Sequence, residues 1–302
     1  MLISSKNNMI DNENTTKQID ELKAVIGSSN DEALICDSYR ILGDIGEQNK
    51  IDELTNHLIV KFVAEKNKTI KESIHNALRK QVKNKNTHVK PLLDILEKYK
   101  KSDIIESVIA LLHNAAANAE VEFALIKILE NSHSDWIYKR VNNCLHTSGS
   151  RESIPYLIKK IHHKSNDVAI SSLITIIRLG DHRESELFCT ELTNGKIKDT
   201  AMEGIVMHCG IEAVDAVIER LKKKTGRKRE TDCSSYFYSG NENETTLGLK
   251  FLHQFKDDRK DITDFFLYLL NKRKDKLFDY EIALLNEVIN DKTVNLTKRN
   301  FK

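Results

Sequence analysis

A basic segment followed by aromatic residues is the part of the sequence best suited to contact a charged partner. Residues 222–229 read Lys-Lys-Lys-Thr-Gly-Arg-Lys-Arg, six cations in eight residues, and an aromatic run follows at 236–238. Such cations contact phosphates or acidic proteins, and aromatic rings stack on bases or fill apolar pockets. The alternative is a helix end whose lysines complement the helix dipole, followed by a solvated loop. The candidate partner-binding residues here are Arg227, Lys228, Arg229, Tyr236, Phe237 and Tyr238.

Histidine and cysteine spacing does not predict a metal site. His162 and His163 are adjacent, so on a helix they point about 100° apart and do not bind one ion together. Cys144 and His146 also lack the i, i+3 or i, i+4 spacing that places two side chains on one helix face. The five cysteines form no CxxC pair and no disulfide framework. We therefore expect reduced thiols, no metal and no cofactor.

The composition predicts an all-α protein. The 302 residues include 11 Gly and 2 Pro, too few turn formers for a many-stranded β protein, and 30% of the residues are charged. The formal net charge is +2, from 47 Lys+Arg and 45 Asp+Glu, which gives no overall attraction to nucleic acid or anionic lipid. No apolar run typical of a signal peptide or a transmembrane helix is present, so we expect a cytoplasmic protein without membrane contact.

Apolar helical segments recur in pairs along the chain. The first members are centred near Leu42, Leu78, Leu112, Leu145 and Leu179, which gives steps of 36, 34, 33 and 34 residues. The second members carry apolar residues four or five positions apart, at 54/58, 92/96, 125/129, 157/161, 187/192 and 217/221. Because a single helix pair cannot bury its apolar stripes alone, this period predicts stacked helical hairpins.

Boundary residues fall where this repeat requires helix ends. Pro91 and Pro155 occur in the opening turn of a second helix, where a missing N–H costs little. We place Gly43, Gly149 and Gly180 in the turns between helices, with a positive φ that closes the first helix. Capping-box spacing, or its Asp equivalent, occurs at Thr69/Glu72, Asp103/Glu106 and Thr200/Glu203.

Several of these hairpins resemble HEAT repeats. Residues 40–46 with 51–54, and residues 174–184, are similar to HEAT hairpins, and residues 147–157 keep the turn and the proline common in that family. The resemblance covers about residues 30–224 and implies a right-handed α-α superhelix of about six to eight helical hairpins. We expect a loosely ordered tail at 1–14, the repeat solenoid at 15–224, the basic and aromatic loop at 225–246 and a helical C-terminal cap at 247–302.

In HEAT-type stacks the second helix of each hairpin lines the concave face. Residues on these helices that lie off the apolar stripe are candidates for binding a protein partner, because a solenoid offers a long continuous surface. The alternative is that they are ordinary solvated helix faces. These residues are Glu53, His57, Asp94, Glu97, Lys127, Lys159, Lys160, Glu191, Asp215 and Glu219.

The same resemblance leads to two functional hypotheses. Some HEAT-like proteins are alkylpurine DNA glycosylases, which use an aromatic-lined cleft and a carboxylate. Here the single tryptophan, Trp136, is followed one turn later by Arg140 rather than a carboxylate, and few aromatics lie on the predicted inner helices. Base excision or nucleic-acid binding is therefore the alternative. Our leading hypothesis is a non-catalytic protein, monomeric when free, that resembles bacterial HEAT-type immunity proteins and blocks a cognate toxin domain.

Overall fold

The computed structural model describes residues 2–49, 51–82, 89–98, 102–113, 118–132, 134–223 and 243–299. Within these ranges the chain forms sixteen α-helices, a few short 3-10 turns and no strand, which confirms the all-α prediction. The chain divides into two compact units, Met1–Ser153 and Ile154–Lys302. This boundary falls inside the region 15–224 that the sequence predicts as one solenoid.

The first unit contains eight helices that pack in two series. Helices α2, α4, α6 and α8 contact one another in order, α3, α5 and α7 form the second series, and α1 packs on α2. This alternation is what stacked helical hairpins produce. The helices are α1 (Leu2–Ser28), α2 (Glu32–Asn49), α3 (Asp52–Ala64), α4 (Lys68–Val82), α5 (Val89–Lys98), α6 (Ser102–Leu112), α7 (Ala119–Asn131) and α8 (Asp135–Ser148).

Helix α1 begins much earlier than the sequence suggests. Residues 2–14, expected to be a loosely ordered tail, belong to this helix. Only its C-terminal portion carries a buried apolar residue among the described side chains, Ile19. The polar residues before it give no apolar periodicity, which is why the pattern did not predict a helix there.

The second unit repeats the two-series arrangement. Helices α10, α12, α14 and α16 contact one another in order, with α9 on α10, while α11 packs against α13 and α15 against α16. The helices are α9 (Ile154–Ile158), α10 (Asn166–Leu179), α11 (Ser185–Asn194), α12 (Lys198–His208), α13 (Val214–Lys223), α14 (Glu244–Gln254), α15 (Lys260–Arg273) and α16 (Asp279–Arg299).

The core consists largely of the residues that define the sequence repeat. On the second helices, the repeat residues at 54, 58, 92, 96, 125, 129, 157, 161, 217 and 221 are all buried. On the first helices, four of the five central leucines are fully buried, namely Leu42, Leu78, Leu112 and Leu145. Leu179 and Leu187 are the partly exposed exceptions. Burying a leucine contributes about 2 kcal/mol, so the repeat pattern is also the main source of stability.

Helix α4 starts from a different cap than the sequence predicts. The Asn67 side-chain oxygen accepts hydrogen bonds from the backbone N–H groups of Thr69 (2.9 Å) and Ile70 (3.2 Å), so Asn67 is the N-cap and Thr69 lies inside the helix. Asparagine is at least as good an N-cap as threonine. At α12 the N-cap is Ile197, and Thr200 again lies within the first turn.

The glycines close the hairpins by another geometry than the one predicted. Gly149 and Gly180 do end helices, but with φ of −79° and −86°, so the prediction of a positive φ is wrong. Each is followed by one turn of 3-10 helix, a pattern that Gly210 repeats. Gly43 is not in a turn at all, because it lies within α2, where an added Cβ would come 2.8 Å from the Ala77 Cα of α4.

Candidate functional site

One groove in the first unit lies along the second helices of two successive hairpins. It has a volume of about 720 Å³ and is lined mainly by α5 and α7, with contributions from α6 and the start of α8. We call it the α5–α7 groove. Its lining includes three of the residues predicted from sequence, Asp94, Glu97 and Lys127, so the structure places these three around one concavity.

The groove is lined by charges of both signs on both helices, with Lys90, Asp94 and Glu97 on α5 and Glu120 and Lys127 on α7. Asp94 and Glu97 are exposed and lie three residues apart, which places them on the same face of α5, and Lys90 is one turn before Asp94. The face of α5 that packs into the protein carries Leu92 and Ile95. The buried stripe therefore fixes the direction in which the two carboxylates point.

The α7 side carries an exposed aromatic ring. Phe123 is 59% exposed, although its neighbours Val121 and Leu125 are buried in the core. The ammonium nitrogen of Lys127, one turn later, lies 4.5 Å from the centroid of the Phe123 ring, a cation–π geometry. Leaving a phenylalanine in water forgoes about 2 kcal/mol of burial energy, which a partner that covers this ring recovers.

Much of the groove lining is apolar. Leu93, Leu96, Ile105, Ile128 and Ile137 all line it, together with the charged and aromatic side chains. Apolar residues combined with charged ones are the typical composition of a protein-binding surface. We did not select Phe123 from the sequence. Its position off the apolar stripe of α7, which is formed by Val121, Leu125 and Leu129, does indicate an exposed side chain.

Two further predicted residues lie on α3 and do not line this groove. Glu53 is exposed, whereas His57 is half-buried and its Nε2 atom has no hydrogen-bond partner. Burial lowers the pKa of His57, and the nearby charges of Lys23 and Lys61 lower it further. His57 therefore remains neutral at neutral pH and adds no positive charge to the face of α3.

The predicted residues of the second unit differ in their exposure and in the side chains that they contact. Asp215 and Glu219 on α13 are exposed, but Asp215 pairs with Arg259 (2.6 Å) and Glu219 pairs with Lys223. Lys159 is exposed, with its ammonium 5.0 Å from the Tyr156 ring centroid, and Lys160 is half-buried.

Glu191 differs from the prediction of an exposed position. Its side chain is only 2% exposed, and its Oε1 lies 3.6 Å from the Nε2 of His162. The carboxylate folds back against Gly195, where a Cβ would clash with Oε2. Helical periodicity places Glu191 off the apolar stripe, but the glycine makes room for it inside.

A second concavity in the first unit contains the single tryptophan. It has a volume of about 1150 Å³ and is lined by residues of α4, α6 and α8 and by the end of α3. The Arg140 guanidinium lies 4.6 Å from the ring centroid of Trp136, as their one-turn spacing requires. The cation covers one face of a ring that remains 47% exposed.

The remaining candidates fall outside the described residues. Arg227, Lys228, Arg229, Tyr236, Phe237 and Tyr238 belong to the segment 224–242, of which the structure gives no description. Across the described ranges, no three His, Cys, Asp or Glu side chains are grouped so that they could hold a metal ion. In the same part of the chain, no helix is both long and apolar enough to cross a bilayer.

Comparison with known proteins gives no family for this chain. No protein-family model matches it, and no curated protein matches it. Among solved structures, one match is described as "Computational Design of Self-Assembling Cyclic Protein Homooligomers". The two sequences are 12% identical, the alignment covers 94% of this chain and 91% of the other chain, and the TM-score is 0.15. The arrangement of its own helices is that of a helical repeat protein.

Proposed function

We propose that this chain is a non-catalytic, protein-binding helical repeat protein whose α5–α7 groove receives an apolar segment of a protein partner. The observation that carries the proposal is Phe123, a 59% exposed ring that lines the groove together with apolar and charged side chains. Exposed aromatic residues in concave, partly apolar sites are typical anchors of protein interfaces.

The charges around the groove support a protein rather than a nucleic acid as the partner. Three carboxylates line it, those of Asp94, Glu97 and Glu120, against the two ammonium groups of Lys90 and Lys127, so the lining carries no excess of positive charge to attract phosphates. A protein partner with basic and acidic side chains can pair with both kinds of charge. The HEAT resemblance suggests a toxin domain as the partner, so that binding would act by occlusion in the cytoplasm, with the free protein monomeric. It also suggests that the hairpins wind as a right-handed superhelix of about six to eight units.

Affinity capture with groove and control variants tests this function. The tagged chain is used to recover partners from cells that produce it, and the identified partner is then titrated against purified wild type and F123D. Removal of an aromatic anchor costs about 2 kcal/mol or more, so we expect F123D to bind at least about 30-fold more weakly. V60D is the matched control, because Val60 is 67% exposed on α3, away from the groove.

Two outcomes contradict the proposal in different ways. If nucleic acid alone is recovered and its binding falls steeply with salt, the protein-binding function is wrong. If a protein is recovered but F123D and V60D bind it equally to wild type, the function stands and its assignment to the α5–α7 groove is wrong.

A further inference from the structure

The concavity that contains Trp136 is a different surface from the α5–α7 groove. We call it the tryptophan concavity, and it is lined by residues 62–66 and by parts of α4, α6 and α8. On α8, Ile137 lines the groove whereas Trp136 lines the concavity, and on α6 the neighbours Ile105 and Glu106 divide in the same way. The first unit therefore has two concave surfaces that share no described lining residue.

Trp136 and Arg140 present an apolar and a cationic group side by side. Trp136 is 47% exposed, although Ile137 and Tyr138, which follow it on α8, are buried. The Arg140 guanidinium lies 4.6 Å from the centroid of the Trp136 ring, a cation–π contact that holds it in place. In the described part of the chain no carboxylate pairs with Arg140. Its N–H groups are therefore available for a bidentate pair with a carboxylate of another molecule.

Two lysines at the start of α4 add positive charge to the same concavity. Lys66 precedes the helix, Lys68 is its first residue, and both side chains are exposed. Among the described residues, neither ammonium group pairs with a carboxylate. The adjacent Glu65 directs its Oε1 to the backbone N–H groups of Lys66 (2.8 Å) and Asn67 (2.7 Å) instead. These two ammonium groups can therefore pair with acidic groups of a ligand.

The charge of the whole lining favours an acidic peptide over a nucleic acid. Four cations and three carboxylates line the concavity, which leaves an excess of one positive charge. His75 adds no charge at neutral pH, because burial lowers its pKa. Three carboxylates repel a continuous run of phosphates, whereas a peptide can place a few acidic side chains against the cations alone. The cations are Lys66, Lys68, Lys71 and Arg140, and the carboxylates are those of Glu65, Glu72 and Glu106.

We propose that the tryptophan concavity binds an acidic segment of a protein partner. One carboxylate of the segment pairs with Arg140, and further acidic side chains pair with Lys66 and Lys68. An apolar side chain of the segment covers the exposed part of the Trp136 ring. Because the two concavities share no described lining residue, failure of this site leaves the proposed function of the α5–α7 groove untouched.

Wild type carries its own reporter for this site. The chain contains a single tryptophan, so tryptophan fluorescence reports on Trp136 alone. The probe is the synthetic peptide Gly-Glu-Glu-Phe-Glu-Glu-Gly, and its matched control has glutamine in place of each glutamate. We expect the acidic peptide to shift Trp136 emission to shorter wavelength and to reduce its quenching by acrylamide, both saturably, because the bound phenylalanine removes water from the ring. The glutamine peptide should change neither quantity.

Variants of the cations identify the groups that hold the peptide. Removal of one charge-assisted pair weakens binding about tenfold, so R140Q should raise the dissociation constant of the fluorescein-labelled acidic peptide by about that factor. K66Q/K68Q should raise it as well. The matched control is R79Q, because Arg79 is exposed on α4 but does not line the concavity, and we expect it to bind as wild type does. Fluorescence anisotropy measures all four proteins.

Several results would overturn the proposal. One is a Trp136 emission that does not respond to the acidic peptide, or that responds equally to the glutamine peptide. Tighter binding of a single-stranded oligonucleotide than of the acidic peptide would assign the concavity to nucleic acid. Weaker peptide binding by F123D but not by R140Q would place the peptide in the α5–α7 groove. Emission that shifts with protein concentration alone would mean that a second copy of the chain covers the ring, in place of an acidic partner.

Discussion

Removal of Arg220 should destabilise the second unit far more than removal of a neighbouring surface charge. Arg220 Nε and Nη2 donate to the two carboxylate oxygens of Glu244, at 2.5 and 3.1 Å, in a bidentate pair. The Glu244 side chain is fully buried and that of Arg220 is 19% exposed. The pair joins α13 to α14 on either side of the undescribed segment 224–242, so it holds together two helices that the chain itself connects only through a long segment.

The expected loss of stability follows from the Glu244 carboxylate, which R220A deprives of its ion-pair partner Arg220. Breaking a buried ion pair costs about 3–5 kcal/mol, because the remaining charge is stranded away from water. Since water reaches part of Arg220, we expect the lower end, about 3 kcal/mol. At about 2–4 °C per kcal/mol, this corresponds to a fall in the thermal midpoint of roughly 6–12 °C. The double variant R220M/E244L removes both charges and should recover much of the loss.

Lys223 provides the matched control for this measurement. It lies on the same helix and pairs with Glu219, but these side chains are 62% and 53% exposed. Exposed pairs of this kind contribute about 0–1 kcal/mol, so K223A should change the midpoint by less than about 4 °C. Thermal unfolding followed by far-ultraviolet circular dichroism measures both variants. An R220A midpoint no lower than that of K223A would refute the reasoning.

Three further outcomes follow from the first unit. G43A should cost about 1–3 kcal/mol in urea unfolding because its Cβ would meet the backbone of Ala77, whereas G27A, with open space around it, should be neutral or stabilising. Burial lowers the pKa of His75, so below about pH 6.5 the unfolded chain binds a proton at this residue that the folded chain does not. The free energy of unfolding should therefore fall as the pH drops below that value. H75Q should reduce this pH dependence by up to about 1.4 kcal/mol per pH unit. E122A should cost about 1–3 kcal/mol, measured by urea unfolding, because the Glu122 carboxylate accepts three hydrogen bonds from the turn after α8.

Periodicity predicted the helix pairs because a helix that packs on a neighbour must repeat its apolar residues every three or four positions. The buried positions on α3, α5 and α7 follow directly from this rule. Gly43 could not be placed in the same way. A glycine ends a helix in one context and allows two helices to approach closely in another, and only the position of Ala77 in space decides between them.

The sequence predicts which residues of the candidate site share a helix face, but it does not predict which helices come together to form the groove. Spacing alone showed that Asp94 and Glu97 share a face of α5, and that Lys127 lies off the apolar stripe of α7. That these helices enclose one groove depends on which hairpins stack.

The repeat architecture also explains why the groove can be altered without loss of the fold. On α7 the buried residues Val121, Leu125 and Leu129 supply the packing, while Phe123 and Lys127 face outward. The outward pair contributes only a cation–π contact of about 0.5–1 kcal/mol to the free protein. F123D should therefore lower the free energy of unfolding by less than about 1 kcal/mol while abolishing most of the binding. A larger loss of stability would mean that Phe123 is part of the core, and the main argument for a docking surface on α7 would fail.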